Sequence, residues 1–351
     1  MGKKVLVGMS GGVDSSVTAL ILKQQGYEVT GATMRLWAFD DKDEQYINSV
    51  TDDAKRVCNS IGIDFMTLDF KDIFIKNVVD YFIDEYKNGR TPNPCIMCNR
   101  KLKFGTMLDK ALELGFDYVA TGHYAQIGFD ENAKRYTLKK GASAKKDQTY
   151  FLYHLTQHQL SHTLMPIGGY DKDYTRAFAE KNNIPVAHKP DSQEICFIRD
   201  DDYSKFITEY SDFKPKSGKI FDINGNEIGT HRGLIYYTIG QRKGIGAYGR
   251  PMFVKEIHPE TNSLVLGEKG MEFSTELTAN NASYIPFDKL TAPINVTAKV
   301  RYQAVPSPAV VEPIGENRVK VIFETPQRAV TAGQAVVFYD GDYVIGGATV
   351  E

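Results

Sequence analysis

The sequence predicts an α/β domain with a doubly wound parallel sheet, followed by two small β-rich modules, the last a β-barrel. Three observations carry this reading. Strand and helix patterns alternate through residue 120, a glycine–serine loop joins the first strand to the first helix, and short strand patterns replace the alternation after about residue 205.

The elements follow in order. Lys4–Met9 is a short apolar run that ends in glycines, and Val17, Leu20, Ile21 and Leu22 then recur at helical spacing within Ser15–Gln25. Gly26 occupies the position where helices commonly stop. Tyr27–Met34 is β-rich, Asp52–Ile61 is helical up to Gly62, and Phe65–Leu68 returns as a strand. Asp72–Lys87 forms a long helix closed by Asn88-Gly89, Phe104–Leu114 another closed by Gly115, and Asp117–Ala120 a strand. Trp37 and the acidic run Asp40–Glu44 read as an exposed loop. Further on, Phe253–Ile257, Ser263–Leu266, Val296–Tyr302, Val319–Phe323 and Ala335–Tyr339 are short strands at the spacing of small barrels. The expected domains are 1–204, 205–275 and 276–351, with Pro286 and Pro293 flanking the second junction.

The 351 residues suffice for several cores, and 42% hydrophobic with 25% charged residues is ordinary for a globular chain. No apolar run reaches bilayer length, and the N-terminus meets Ser10-Gly11-Gly12 before any signal-peptide core develops, so no membrane association and a cytoplasmic location are expected. A net charge of −2 excludes a globally basic nucleic-acid binder and leaves local patches. Four cysteines, Cys58, Cys95, Cys98 and Cys196, are too few and too uneven for a secreted disulfide scaffold.

Ser10-Gly11-Gly12-Val13-Asp14-Ser15-Ser16 lies between a strand and a helix, where backbone N–H groups and the positive helix end converge on an anion. Its glycines allow close approach to phosphate and its serine hydroxyls add donors. No Gly-Lys-Ser/Thr follows, so it is not a kinase-type P-loop. It resembles the Ser-Gly-Gly-x-Asp-Ser loop of the ATP pyrophosphatases, which split ATP between its α- and β-phosphates to adenylate a carbonyl oxygen. Met34 and Gly122 stand at carboxyl ends of predicted strands, the edge where such sheets bind ligands.

Pro92 and Pro94 stiffen the run Gly89–Arg100, and Arg90, Arg100, Lys101 and Lys103 make it positive, a setting that favours thiolate at Cys98. A helix start at Cys98 would add the helix dipole to that effect. Cys196 sits in a polar stretch, Lys189–Phe197, whereas Cys58 lies mid-helix among apolar residues and reads as core.

Five motifs in order bring a closer resemblance. The phosphate loop, Thr-Pro-Asn-Pro-x-x-x-Cys-Asn, Ala-Thr-Gly-His-Tyr, Lys-Lys-Asp-Gln-Thr-Tyr and Asp-Ser-x-x-Ile-Cys-Phe-Ile are similar to those of the tRNA-specific 2-thiouridylase family. That family exchanges oxygen for sulfur at carbon 2 of the wobble uridine, and the likeness spans nearly the whole chain. It implies a catalytic domain of the adenine-nucleotide alpha-hydrolase type. It also assigns Gly8, Met9, Ser10, Gly11, Gly12, Val13, Asp14, Ser15, Ser16, Met34 and Gly122 to ATP, with Mg2+ accompanying it and Asp14 helping to hold the ion. Cys98 matches the nucleophile and Cys196 the persulfide carrier, with a Cys98–Cys196 disulfide as the oxidised product. Asn93, Pro94 and Cys95 match the stretch that meets the target base, and some relatives carry Asp where this chain has Cys95. His123, Lys146, Asp147, Gln148, Arg301, Tyr302 and Gln334 match tRNA-contacting positions. The expected partners are the tRNAs for Lys, Glu and Gln, together with a sulfur donor, either a cysteine desulfurase or a relay carrier.

Three rivals share parts of this pattern. Cys95, Cys98 and Cys196 also suit an iron–sulfur cluster, or a zinc site with His123 or His188. The phosphate loop alone also suits an amide-forming ATP pyrophosphatase, or a tRNA-binding factor without catalysis. Lys139, Lys140, Lys145 and Lys146 with Tyr150, and Arg242, Lys243 and Arg250 with Tyr248, combine charge and rings in a way that suits RNA. The glycine-rich run 240–246 reads as a mobile loop that orders on tRNA.

Overall fold

The computed structural model describes residues 2–191, 195–198 and 201–351. Ser192, Gln193 and Glu194 of the motif before Cys196 lie outside the described residues. The chain divides into two compact units, Met1–Val78 with Cys95–Glu194 and Gly341–Ile345, and Val79–Pro94 with Ile195–Asp340 and Gly346–Glu351.

In the first unit, β1 (Lys4–Gly8), β2 (Glu28–Arg35), β3 (Asp64–Asp69) and β4 (Tyr118–Ala120) precede an antiparallel hairpin of β5 (Ala125–Asp130) and β6 (Arg135–Lys140) and a short β7 (Thr163–Leu164). The sheet order is β3-β2-β1-β4-β7, and its neighbouring strands run parallel. Strand order reverses between β1 and β4, so the loops leaving those two strands part and open a crevice at their carboxyl ends. Val5, Leu6 and Val7 are fully buried, as an apolar run with helices on both faces requires.

Helix Val13–Gln24 packs against helices Asp41–Ile61 and Lys172–Lys181. Its Val17, Ala19, Leu20, Ile21 and Leu22 share a core with Ala54, Val57, Cys58, Ala179 and Ile184. Cys58 is fully buried, and burial pushes its thiol up to about 11.

Two local expectations need correction. The acidic run at 40–44 is the start of helix Asp41–Ile61, where the Asp40 carboxylate caps Lys42 and Asp43 N–H and the acids face the positive helix end. Trp37 is 7% exposed and stacks on Phe39 rather than standing in solvent. The charge count had suggested a loop because capping acids and loop acids look alike in sequence.

The second unit holds two β modules. β8 (Gly218–Asp222), β9 (Glu227–His231), β10 (Met252–His258) and β11 (Ser263–Glu268) pair in the order β10-β11-β8-β9 around Ile220, Val254, Leu264 and Leu266. Next come β12 (Phe273–Tyr284), β13 (Ile294–Lys299), β14 (Ser307–Gly315), β15 (Arg318–Arg328), β16 (Ala335–Asp340) and β17 (Tyr343–Val350). They follow the order β12-β15-β14-β13-β16-β17, and β12 pairs back onto β17 through Ala279–Val350 and Tyr284–Gly346. That last pairing closes a barrel and leaves no open edge among these strands. The run 240–246 is tied into β10: Gly240 N–H donates to Val254 O at 2.8 Å and Val254 N–H to Gln241 O at 3.0 Å. The Gln241 side chain also bonds the backbone at Tyr236, Thr238 and Lys243. Gln241 thus braces the start of this run from within.

Candidate active site

The crevice between β1 and β4 holds the phosphate loop. Met9 N–H donates to Ala32 O at 2.8 Å and Thr33 Oγ1 to Met9 O at 3.0 Å, which fixes the chain as it leaves the strand. Gly11 has φ +66°, and a Cβ there would sit 2.8 Å from Val50 O, so only glycine fits. Gly12 caps helix Val13–Gln24 without a side-chain cap, leaving first-turn N–H groups to another acceptor. Ser15 Oγ and Ser16 Oγ donate to Gly12 O at 3.1 and 2.8 Å. These hydroxyls shape the loop from inside rather than standing ready as donors, and both serines are buried.

Gly122 has a steric role. A Cβ on it would come 2.8 Å from Asp14 C and Ser15 N, so glycine lets the segment after β4 lie against the loop. Met34 is half-buried near the end of β2.

Asp14 is held by two residues from distant segments. Tyr124 Oη donates to its Oδ1 at 2.7 Å, and Lys172 Nζ to its two oxygens at 2.8 and 2.9 Å. Lys172 also lies 2.7 Å from Asp191 Oδ1, and Lys146 and Arg176 pair with Asp191 at 2.8 and 3.0 Å. Burial opposes the charge on Asp191, yet the Lys146 and Lys172 ammoniums outweigh it and hold the carboxyl below the usual range. Lys189 donates to Gly11 O at 3.1 Å and to Asp53 Oδ2 at 2.7 Å, keeping that carboxyl low as well. In this arrangement a lysine and a phenol occupy the Asp14 oxygens that were expected to help hold magnesium. Among the described residues no group of three or more His, Cys, Asp or Glu is placed to hold a metal.

The cysteine segment forms a helical run over 94–113 that begins as Pro94–Cys98 and widens to a π-helix over Asn99–Thr106. Pro94 suits a first helical position, where no N–H is needed. Cys95 is exposed and Cys98 half-buried. Cys98 lies beyond the first turn, so the helix-dipole expectation moves to Cys95. Burial pushes the Cys98 thiol up, with the Lys103 ammonium pulling the other way, so the thiolate is less favoured than four nearby cations suggested. Arg90 is not among its helpers, being bonded to Glu85 through Nε at 2.9 Å and through a second nitrogen. Cys196 is exposed.

In the second unit, the stretch leading to Asn93 and Pro94 is held by the barrel. Thr91 N–H donates to Ala332 O at 2.9 Å, and the Gln334 amide to Thr91 O and Pro92 O at 2.9 and 3.3 Å. Gln334 therefore holds the backbone of Thr91 and Pro92. Arg301 is exposed, and Tyr302 is half-buried with the Lys299 ammonium over its ring.

Three of the expected RNA-facing side chains turn into the protein. The His123 ring is buried against Phe104, bonded to Thr121 Oγ1 at 2.7 Å, and burial holds it neutral. Asp147 accepts from Gly141 N–H, Thr149 N–H and Thr149 Oγ1. Gln148 accepts from Tyr124 N–H at 2.9 Å. Tyr150 is fully buried, which removes it as a stacking platform. Sequence reasoning missed Lys172, a single lysine in an ordinary amphipathic helix with no motif around it, and Lys189 with Asp53.

A doubly wound sheet with an uncapped glycine–serine loop at its switch point defines a nucleotide-binding α/β protein, here followed by two β modules. Residues 3–200 match the family described as tRNA methyl transferase HUP domain, 204–268 the tRNA methyl transferase PRC-barrel domain, and 274–350 the aminomethyltransferase beta-barrel domain. The chain is 55% identical over 356 residues to the tRNA-specific 2-thiouridylase MnmA of Acetivibrio thermocellus, covering 99% of each. It is 52% identical over 356 residues to the protein of that name in Clostridioides difficile strain 630, covering 100% of this chain and 99% of the relative. The chain belongs to the tRNA-specific 2-thiouridylase family.

Proposed function

We propose that the chain uses ATP to replace the carbon-2 oxygen of the wobble uridine of tRNA with sulfur, acting in the cytoplasm on the tRNAs for Lys, Glu and Gln. The single observation that supports this most is the uncapped loop 8–16 pressed against Gly122 at the switch point of a chain with full-length thiouridylase relatives.

In this reading, residues 1–204 form the catalytic domain, 205–275 the central module and 276–351 a tRNA-binding barrel. The loop holds ATP with Met34 beside the adenine, and magnesium enters only with the phosphates. The uridine oxygen attacks the α-phosphorus and pyrophosphate leaves. Cys196 carries a persulfide supplied by a cysteine desulfurase or a relay carrier. Its terminal sulfur attacks carbon 2 and AMP leaves, giving a disulfide between Cys196 and the base. The Cys98 thiolate attacks the Cys196 sulfur, the thiolated base departs, and the resulting Cys98–Cys196 disulfide awaits a thiol reductant. Asn93, Pro94 and Cys95 meet the base, while Lys146, Arg301 and Tyr302 contact the tRNA.

The test is mass spectrometry of nucleosides from unmodified tRNA incubated with protein, ATP, magnesium, and a cysteine desulfurase with cysteine as the persulfide source. ATP-dependent 2-thiouridine is expected, with turnover lost in both Cys98→Ser and Cys196→Ser, and with product restored in both by free sulfide, which attacks carbon 2 directly and needs neither thiol. Full turnover in Cys98→Ser would end the thiol assignment, and AMP release without a thiolated base would end the substrate assignment.

A further inference from the structure

Lys172 is the first residue of its helix, beside the N-terminus of helix Val13–Gln24 against which that helix packs. Two positive helix ends are a poor place for a cation unless anions attend it. Its side chain is only 11% exposed, and three carboxylate oxygens from Asp14 and Asp191 lie within 2.7–2.9 Å of its nitrogen. Those two acids face three cations, because Lys146 and Arg176 also hold Asp191. Beyond these five side chains, Asp171, which caps the helix, and Asp173 in its first turn add acids on the same element. What stays open beside them is the uncapped first turn of helix Val13–Gln24, whose N–H groups suit an anion with several oxygens.

We propose that Lys172 receives the pyrophosphate end of the nucleotide, its ammonium turning from Asp14 to the β- and γ-phosphates while Asp191 keeps its stem in place. A lysine suits this transfer: a compact charge on a flexible stem retargets by rotation, without the fixed fork that arginine needs. Asp191, anchored by Lys146 and Arg176, stays charged when Lys172 shifts. Tyr124 remains on Asp14, so the acid is not stranded. The inference rests on the reading that ATP occupies loop 8–16.

The experiment is calorimetric titration of the full chain with inorganic pyrophosphate, AMP and a non-hydrolysable ATP analogue. Lys172→Met is expected to weaken pyrophosphate and the analogue by about 10- to 100-fold, the range for one charge-assisted contact, and to leave AMP within about twofold. Retained AMP binding certifies the fold. Lys172→Gln combined with Asp191→Asn keeps the local charge balance and is expected to show the same selective loss, and Lys172→Arg to recover most of it. Unchanged analogue affinity in Lys172→Met, or equal weakening of AMP, overturns the proposal. If the wild-type chain binds none of the three, the nucleotide reading itself has failed and this inference falls with it.

Discussion

The phosphate loop and the cysteine helix of the first unit treat their polar atoms in opposite ways. In the loop, Ser15, Ser16, Asp14, Lys189 and Thr33 all find protein partners, and the backbone is fixed before any ligand arrives. In the helix, buried Asn99 donates to Phe151 O at 3.3 Å but its Oδ1 finds no hydrogen-bond partner. His154 lies outside this helix, buried with the charge of Arg100 and the backbone of Ile96 and Phe151 near its ring. The helix at Asn99 widens into π-geometry, a departure often seen where function shapes a helix. The contrast is between a loop whose polar side chains are satisfied by the protein itself and a helical segment in which a buried amide oxygen is left without a hydrogen bond.

The largest expected effect tests the rigid side. Gly11→Val forces a β-branched residue to φ +66° against Val50 O, a strain of about 1–3 kcal/mol before the clash is counted. Affinity for AMP and for the ATP analogue should fall at least about tenfold, and calorimetry should show Tm lowered by several degrees. Wild-type binding in this variant would mean the backbone conformation does not limit the site.

The next effect tests the buried ring beside that helix. Burial, with the charge of Arg100 added, holds His154 down at about 3, so its ring is neutral in the fold. The unfolded chain binds a proton there below about 6.5 and the folded chain does not, so stability is lost as pH falls from that value. His154→Leu removes the titrating ring, so its Tm relative to wild type should rise as pH falls from about 6.5 toward 4. A gap that ignores pH would show that the ring is not held neutral in this way. The smallest effect belongs to Lys189→Met, which leaves Asp53 to Arg56 alone and frees the Gly11 carbonyl. With the lysine side chain 36% exposed, solvent screens the pair, and a loss of about 1 kcal/mol or less is expected in a denaturant titration.

The sequence made the scaffold legible where short-range rules govern. Glycine stops at Gly26, Gly62 and Gly115 all fall at positive φ just past helices, and the strand-end glycines mark the phosphate loop. It failed where a side chain's partner lies far along the chain. Nothing local reveals that Lys172 meets Asp14 from 158 residues away, or that Gln334 reaches Thr91 across 243. Aromatic clustering also misled, because Tyr150 is fully buried, and composition does not say which way a side chain turns. The same limit applied to Cys98, whose four neighbouring cations were countable but whose burial was not.

Because Asp14, Tyr124, Lys172 and Asp191 arrive from separate segments, no partly folded chain presents the assembled cluster. A nucleotide bound there as proposed would meet only the finished fold, and its occupancy would act as a lock on folding as well as a step in turnover. At a hundredfold excess over Kd such a ligand adds about 2.7 kcal/mol to the stability of the native state. A cell rich in that ligand would thus keep the domain assembled between encounters with substrate, and a starved one would hand it more readily to proteases.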